Sequence, residues 1–425
     1  MRWLYSGLWY LALPLVLRRL KRRAQKAPAY GERIAERFGD VPARAEQPLW
    51  IHAVSVGETV AIAPLVKLLR KRQPDLPILL TTMTPTGAER VDALFGRDRL
   101  VSHHYCPYDL PHAVNRFLDR IQPRGLVVVE TELWPNIVSA CADRDVPVLL
   151  ANARLSEKSA RGYQKMGVLS RPMLQQLSCI AAQNKTDAGR FSQLGVADDK
   201  LVVTGSIKFD IAVPEQLTPA AQQLRAHWGE TRPVLVAGST HEGEESVLLR
   251  VYQTLLAKHP DLLLVLVPRH PERFDAVAKL IEESGLQGCR RSQAQQPDTN
   301  TQVYLGDTMG ELMTLYAAAD LTFVGGSLIE RGGHNPLEPA ALAKPVLMGA
   351  HVFNFAVICD ALEAAGGLRS VDGESELQAA VSDLLAQPEQ AAQQGAAAAA
   401  FVKANQGALE HLYQLVDQTC LTGRT

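Results

Sequence analysis

The chain has 425 residues, 47% hydrophobic and 21% charged, which is too long for one ordinary domain and ample for two cores of about 200 residues each. Its 44 Lys plus Arg stand against 45 Asp plus Glu, a formal net charge of -1, so it lacks the basic excess of a general nucleic-acid binder. The six cysteines (Cys106, Cys141, Cys179, Cys289, Cys359, Cys420) are scattered singly, without zinc-ligand spacing, and read as free thiols of a reducing cytosol.

In chain order, the first feature is an aromatic-rich apolar stretch, Trp3 to Leu17, followed at once by Arg18-Arg19-Leu20-Lys21-Arg22-Arg23. The stretch falls short of the roughly 20 residues of a perpendicular membrane span, and it contains Pro14. A cleaved signal peptide carries its basic residues before the apolar run; here they follow it. The positive-inside bias keeps that block and all that follows on the cytoplasmic side, and each basic residue near anionic headgroups contributes about 1 kcal/mol. Residues 1–24 are therefore expected to be a membrane anchor, spanning or interfacial. The alternative is an amphipathic helix buried against the first domain.

From residue 49 short apolar runs alternate with helical stretches. Residues 49–54, 78–82, 126–129, 146–151, 180–183 and 201–204 are predicted strands, rich in Val, Ile and Leu without clean alternation, as strands covered on both faces are. Helical stretches such as 60–71 and 87–94 lie between them, giving the βαβ pattern of a parallel doubly wound sheet. Residues 213–230, with Pro214, Pro219 and a Gln/Ala-rich helix, read as a linker. A second series follows at 234–237, 262–267, 303–305, 321–324 and 346–348, and residues 380–416 are largely helical. The predicted architecture is α/β: two doubly wound domains, 25–212 and 231–425, with a cleft where strand carboxyl ends meet.

Ligands bind at that strand edge, so the turns there carry the candidate residues. After the first strand comes Ser55-Val56-Gly57-Glu58. Spacing alone favours a capping box with Glu58 on the Ser55 amide; a general base toward an acceptor hydroxyl is the functional alternative. Glu130-Thr131-Glu132-Leu133-Trp134-Pro135 follows another strand, either a salt-bridged loop with Trp134 packed down or a functional carboxylate pair. Lys208, in Gly205-Ser206-Ile207-Lys208, is suited to stabilising a leaving phosphate or is a solvated loop charge. In the second half, Gly238-Ser239-Thr240-His241-Glu242 and Pro268-Arg269-His270 end strands. Thr308-Met309-Gly310-Glu311 and Asn335-Pro336-Leu337-Glu338 open helices, whose free amides suit a phosphate, and Arg269 adds a forked cation. Both starts also read as ordinary caps. Gly325, Gly326, Gly332 and Gly333 suggest close approach of backbone to a ligand. No Walker loop, no G-x-G-x-x-G and no acidic pair spaced for a divalent metal is present, so Arg, Lys and helix ends are expected to meet the phosphate charge, with no metal or cofactor.

These pieces together resemble bacterial Kdo (3-deoxy-manno-octulosonate) transferases through nearly the whole chain. The resemblance is carried by Gly31-Glu32-Arg33 to Glu36-Arg37-Phe38-Gly39, His52 to Glu58, Thr82 to Gly87, Glu130 to Pro135, Asn152-Ala153-Arg154-Leu155-Ser156, Gly238 to His241, Pro268 to His270, and Gly332 to Glu338. It implies a GT-B fold with an N-terminal acceptor domain and a C-terminal CMP-sugar domain. It further implies transfer of Kdo from CMP-Kdo to a lipid A precursor, with inversion, at the cytoplasmic face of the inner membrane. By the same resemblance Glu58 is the general base, Glu130 and Lys208 stabilise the transition state, and Pro268, Arg269, Met309, Gly310, Glu311, Asn335, Pro336, Leu337 and Glu338 contact CMP. The rival readings are a UDP-sugar transferase or epimerase of the same fold, or an inactive tethered nucleotide-binding protein.

Overall fold

A computed structural model describes residues 1–422. The chain forms two compact units: Met1–Asp210 with the chain end from Gln406, and Ile211–Asn405.

In the first unit seven parallel strands lie in the order β3-β2-β1-β4-β5-β6-β7. They are β1 Leu49–His52, β2 Ile78–Thr82, β3 Val101–Tyr105, β4 Gly125–Val129, β5 Val148–Ala153, β6 Cys179–Ala182 and β7 Leu201–Val203. Period-two alternation sends successive residues to opposite faces. Trp50, Val128 and Leu150 join Phe117, Ile137 and Leu174 in one core layer; Leu49, Ile51, Val127 and Leu149 join Ile62, Leu65 and Leu69 in the other. Because helices cover both faces, the strands carry no polar side, which is why they read as continuous apolar runs.

The second unit repeats the plan in the order β10-β11-β9-β8-β12-β13-β14. Its strands are β8 Val234–Thr240, β9 Leu263–Pro268, β10 Gly288–Arg290, β11 Val303–Leu305, β12 Leu321–Val324, β13 Val346–Gly349 and β14 Leu368–Val371. Three strands went unpredicted, β3, β10 and β14, and all three are sheet edges. Edge strands are short and tolerate polar residues; His103 and His104 in β3 and Arg369 in β14 hide the apolar signal.

Two expected boundaries change. Residues 213–230 are no linker: the helix Leu217–Trp228 buries Leu217, Ala221, Leu224 and Trp228 within the second unit, and Trp228 meets Tyr304 edge-on at 5.5 Å. The chain end does not close the second domain. The helix Ala408–Val416 belongs to the first unit, where Ala408, Leu412, Val416 and Cys420 join the core layer beneath Ile62 and Leu65. Asp210 fastens its start by accepting from the amides of Gly407 and Leu409, both at 2.7 Å. The four-residue spacing of these side chains puts them on one face, and tertiary contacts decide which unit buries it.

The N-terminal helix α1, Arg2–Lys26, runs through Pro14. Trp9, Leu13, Val16 and Leu17 pack on Tyr108, Leu110 and Ala113, and Ser6 hydrogen-bonds Asn136. Its other side is bare: Trp3, Leu8, Leu11 and Leu15 are 73%, 66%, 77% and 68% exposed. Among the described residues no helix is long and apolar enough to cross a membrane.

The motif around Arg33 is structural. Glu36 accepts from the Tyr105 amide and His104, and pairs with Arg33. Burial alone would raise its pKa, but these partners hold it down at about 2. Buried Arg37 stacks over Tyr105 at 4.2 Å and donates to the Met83 carbonyl. Together they fasten the β3 edge.

Candidate active site

In an open parallel sheet the crevice for ligands opens where strand order reverses, because the connections on either side run to opposite faces. In the first unit that point lies between β1 and β4, and the two acidic turns are the ones that leave these strands. Helix α2, Val56–Arg72, begins after β1 with Ser55 as its cap. The Glu58 amide donates to Ser55 Oγ at 3.4 Å and Ser55 Oγ donates to Glu58 Oε1 at 3.0 Å. The second oxygen, Oε2, accepts from the Val54 amide at 2.7 Å, one residue earlier than the Ser55 amide expected from the spacing. Burial pushes the Glu58 pKa up to about 7; the Val54 and Ser55 bonds oppose this, while Glu130 and Glu132 reinforce it. Glu58 is thus a cap and also a carboxylate poised to take a proton near neutrality.

After β4, Glu130 sits in the left-handed region at φ 60°, with its amide bonded to the Ala151 carbonyl at 2.9 Å. Trp134 packs down on the core and lies 6.2 Å from Trp9 of α1. Of the two readings of this turn, the packing of Trp134 belongs to the salt-bridged loop, while the closeness of Glu130 and Glu132, which adds to burial in raising the Glu132 pKa, belongs to the carboxylate pair. Lys208 lies in the one-turn segment Ile207–Phe209, which packs against α2. The fold therefore gathers Glu58, Glu130 and the Lys208 turn at one edge, from three separate stretches of chain.

The second unit reverses between β8 and β12. His241 follows β8, and its Nε2 lies 2.8 Å from that of His334, with the rings stacked 5.0 Å apart; His270 packs edge-on to His241 at 5.2 Å. Burial, then His241, Arg269 and His270, depress the His334 pKa to about 4. The Arg269 amide is held by the Thr240 carbonyl. Burial raises the Glu338 pKa, opposed by Asn335 and Arg269. The helices after Glu311 and Pro336, Leu312–Ala317 and Leu337–Ala341, touch one another. The predicted nucleotide residues thus come together at this edge. The helices have only six and five residues, so their dipoles are weaker than expected.

Residues 32–211 match the model of the 3-deoxy-D-manno-octulosonic-acid transferase (kdotransferase) family, and residues 235–401 that of the group 1 glycosyl transferases. The chain is 43% identical over 419 residues to the 3-deoxy-D-manno-octulosonic acid transferase of Haemophilus influenzae, covering 98% of each chain. It is 40% identical over 420 residues to that of Bordetella pertussis, covering 95% of this chain and 96% of the other. The chain belongs to the Kdo transferase family. It is an enzyme, a glycosyltransferase. The UDP-GlcNAc 2-epimerase of Neisseria meningitidis superposes with a TM-score of 0.56 at 15% identity, over 88% of this chain and 100% of that one. That likeness is one of fold, shared by transferases and epimerases alike, and the choice between them comes from the family.

Two residues that the sequence did not flag, Glu244 and Arg291, hold these turns in place. The glycines before the Asn335 turn are also required by the protein's own packing. A Cβ on Gly325 would lie 2.5 Å from the Ser239 carbonyl, and Gly332 has φ 91° with the Asn354 side chain 2.4 Å from where its Cβ would be. Glu244, fully buried, accepts from the amides of His241, Gly326, Ser327 and Leu328 at 2.7–3.0 Å, pinning the β8 and β12 turns together. Arg291 forks onto Glu311, with Nε to Oε2 at 2.6 Å, and Thr308 Oγ1 also donates to that carboxylate; Arg291 lowers the Glu311 pKa. Neither Glu244 nor Arg291 is flagged in the sequence, since an acid in the first turn of a helix and an arginine in a loop are ordinary there. Among the described residues no group of three His, Cys, Asp or Glu is placed to hold a metal ion.

Proposed function

We propose that this Kdo transferase uses CMP-Kdo as donor and a lipid A precursor as acceptor, with Glu58 as general base. Glu58 takes the proton of the acceptor hydroxyl as its oxygen bonds to the anomeric carbon, while the carbon–oxygen bond to the CMP phosphate breaks on the opposite face, inverting that centre. Positive charge grows on the sugar and negative charge on the departing phosphate. Glu130 addresses the first, Lys208 and Arg269 the second, and the turns at Pro268, Met309–Glu311 and Asn335–Glu338 hold the nucleotide. The observation that carries this reading is Glu58, half-buried at the β1/β4 reversal, with a pKa of about 7: ionised often enough to accept a proton and basic enough to want one.

In the same proposal the protein works at the cytoplasmic face of the inner membrane. The bare side of α1 supports it: Leu4, Leu8, Leu11 and Leu15 recur at helical spacing and continue into Arg18, Arg22 and Lys26, apolar for acyl chains and basic for anionic headgroups, in the manner of an interfacial helix. The test is to incubate the purified protein with CMP-Kdo and lipid A precursor, following CMP release and weighing the product. Turnover with CMP-Kdo and none with UDP-sugars is expected. Turnover of UDP-sugars alone, or nucleotide binding without product, overturns the proposal.

A further inference from the structure

The motif Asn152 to Ser156 helps mark the family, yet the reaction as proposed gives it no task. Asn152 lies in β5, between β4, which leads to Glu130, and β6, which adjoins β7 and so the Lys208 turn. Its backbone is left-handed at φ 52°, its exposure is 1%, and the pairing of β5 with β6 shifts register between Leu150 and Ala153. Inside a strand such a conformation breaks the ladder, and it persists only where the surroundings over-determine it.

Those surroundings reach both catalytic turns. On one side, the Ala151 carbonyl accepts from the Glu130 amide at 2.9 Å, and the Arg154 carbonyl accepts from Thr131 Oγ1 at 2.9 Å. On the other, Asn152 Oδ1 accepts from the Ile207 amide at 3.3 Å, one residue before Lys208. The Asn152 carbonyl is held in turn by Gln183 Nε2 at 2.9 Å. Because the Ile207 amide needs an acceptor, it fixes which amide atom of Asn152 faces it. The remaining Nδ2 group is buried with no hydrogen-bond partner among the described residues, as is Ser206 Oγ beside the same turn. Both leave buried polar groups unpaired, a cost a purely structural site normally avoids.

We infer that Asn152 is a positioning residue for the transfer reaction, bracing the Glu130 and Lys208 turns against each other from β5. The inference rests on the proposed roles of Glu130 and Lys208. The residue type follows from the geometry. Apart from glycine, Asn and Asp are the residues that visit the left-handed region readily; glycine has no acceptor for the Ile207 amide, whereas Asp keeps one.

The test uses the full-length enzyme with Asn152→Gly, which fits the backbone and deletes the acceptor, Asn152→Asp, which keeps both, and Lys208→Ala as reference. For Asn152→Gly, kcat is expected to fall roughly 10- to 100-fold, since small displacements of charged groups cost that much. KM for CMP-Kdo should stay within about twofold, because the nucleotide turns lie in the other unit. Amide hydrogen exchange over residues 205–209 should quicken while the rest of the sheet keeps its protection, and Asn152→Asp should recover most of kcat. If Lys208→Ala itself turns over normally, the role of Lys208 falls and the inference loses its basis. If Lys208→Ala is impaired but Asn152→Gly keeps parental kcat and parental exchange at 205–209, the inference alone is overturned. Should the glycine variant fail to fold, Asn152→Asp decides: near-parental kcat supports positioning, and a loss as large as that of Lys208→Ala refutes it.

Discussion

Replacing Glu58 by Gln separates its two roles. Gln keeps a carbonyl oxygen for the Val54 amide and a donor for Ser55, so the start of α2 stays capped, but it cannot accept a proton. Ionised Glu58 is also a burden on the fold: with a pKa near 7 in place of 4.5, keeping it charged at pH 8 costs on the order of 1–2 kcal/mol once solvent screening of a half-buried group is allowed for. The variant should therefore melt at the parental temperature or about 2–4 °C above it. Loss of a general base removes about 10²–10⁴ of the rate, some 3–5 kcal/mol of barrier. Initial CMP release, checked against the mass of the lipid product, measures it across pH 5.5–9 (about two units either side of the working range). In the parent, kcat/KM should fall tenfold per pH unit below about 7, as the free base becomes protonated; in the variant the residual rate should be flat there. Turnover within tenfold of the parent, or a surviving limb near 7, would show that Glu58 is a cap and that another group takes the proton.

Glu130→Gln should move the acid limb to lower pH as well as lowering kcat, because Glu130 helps hold the Glu58 pKa up; an unmoved limb would separate the two carboxylates. Glu244→Ala strips the shared acceptor from four amides and should destabilise the second unit by about 3 kcal/mol or more, weakening CMP binding; a parental melt and parental CMP titration refute that. Leu8→Glu with Leu11→Glu on the bare face of α1 should abolish sedimentation with anionic vesicles while leaving the melt within about 2 °C, since neither side chain is buried; unchanged co-sedimentation counts against an interfacial helix. Acidification should lower stability in two stages. His52 and His334, near 4, and His103, near 3, when folded against 6.5, contribute stability present above pH 6.5 and lost as pH falls toward 4; protonation of Glu58, near 7, and Asp109, near 6, opposes this loss, and the three histidines outweigh it. Glu36, near 2 against 4.5, contributes stability present above 4.5 and lost below it. Thermal melts between pH 7.5 and 3 check this, and a flat melting temperature from 6.5 to 4.5 contradicts the histidine stage.

The sequence by itself determined the class of fold, because a parallel sheet covered on both faces demands long runs of Val, Ile and Leu and leaves them visible, as in β4 and β9. It also determined where the candidate turns lie, since Ser55–Glu58, Glu130–Pro135 and Pro268–His270 stand where strands end. It did not settle what is decided by contacts between distant stretches. Edge strands such as β3 carry histidines that a one-sided environment tolerates. The stripe Ala408–Leu412–Val416–Cys420 announces a buried face but not that the face belongs to the first unit. Glu58 reads as a cap from its spacing, and its capping bonds are real; only burial beside Glu130 and Glu132, which arrive from a strand some 70 residues away, gives it a base's proton affinity. Periodicity and turn chemistry are local and are written along the chain, whereas desolvation, shared carboxylates such as Glu244, and the bracing of Lys208 by Asn152 exist only once the strands are side by side.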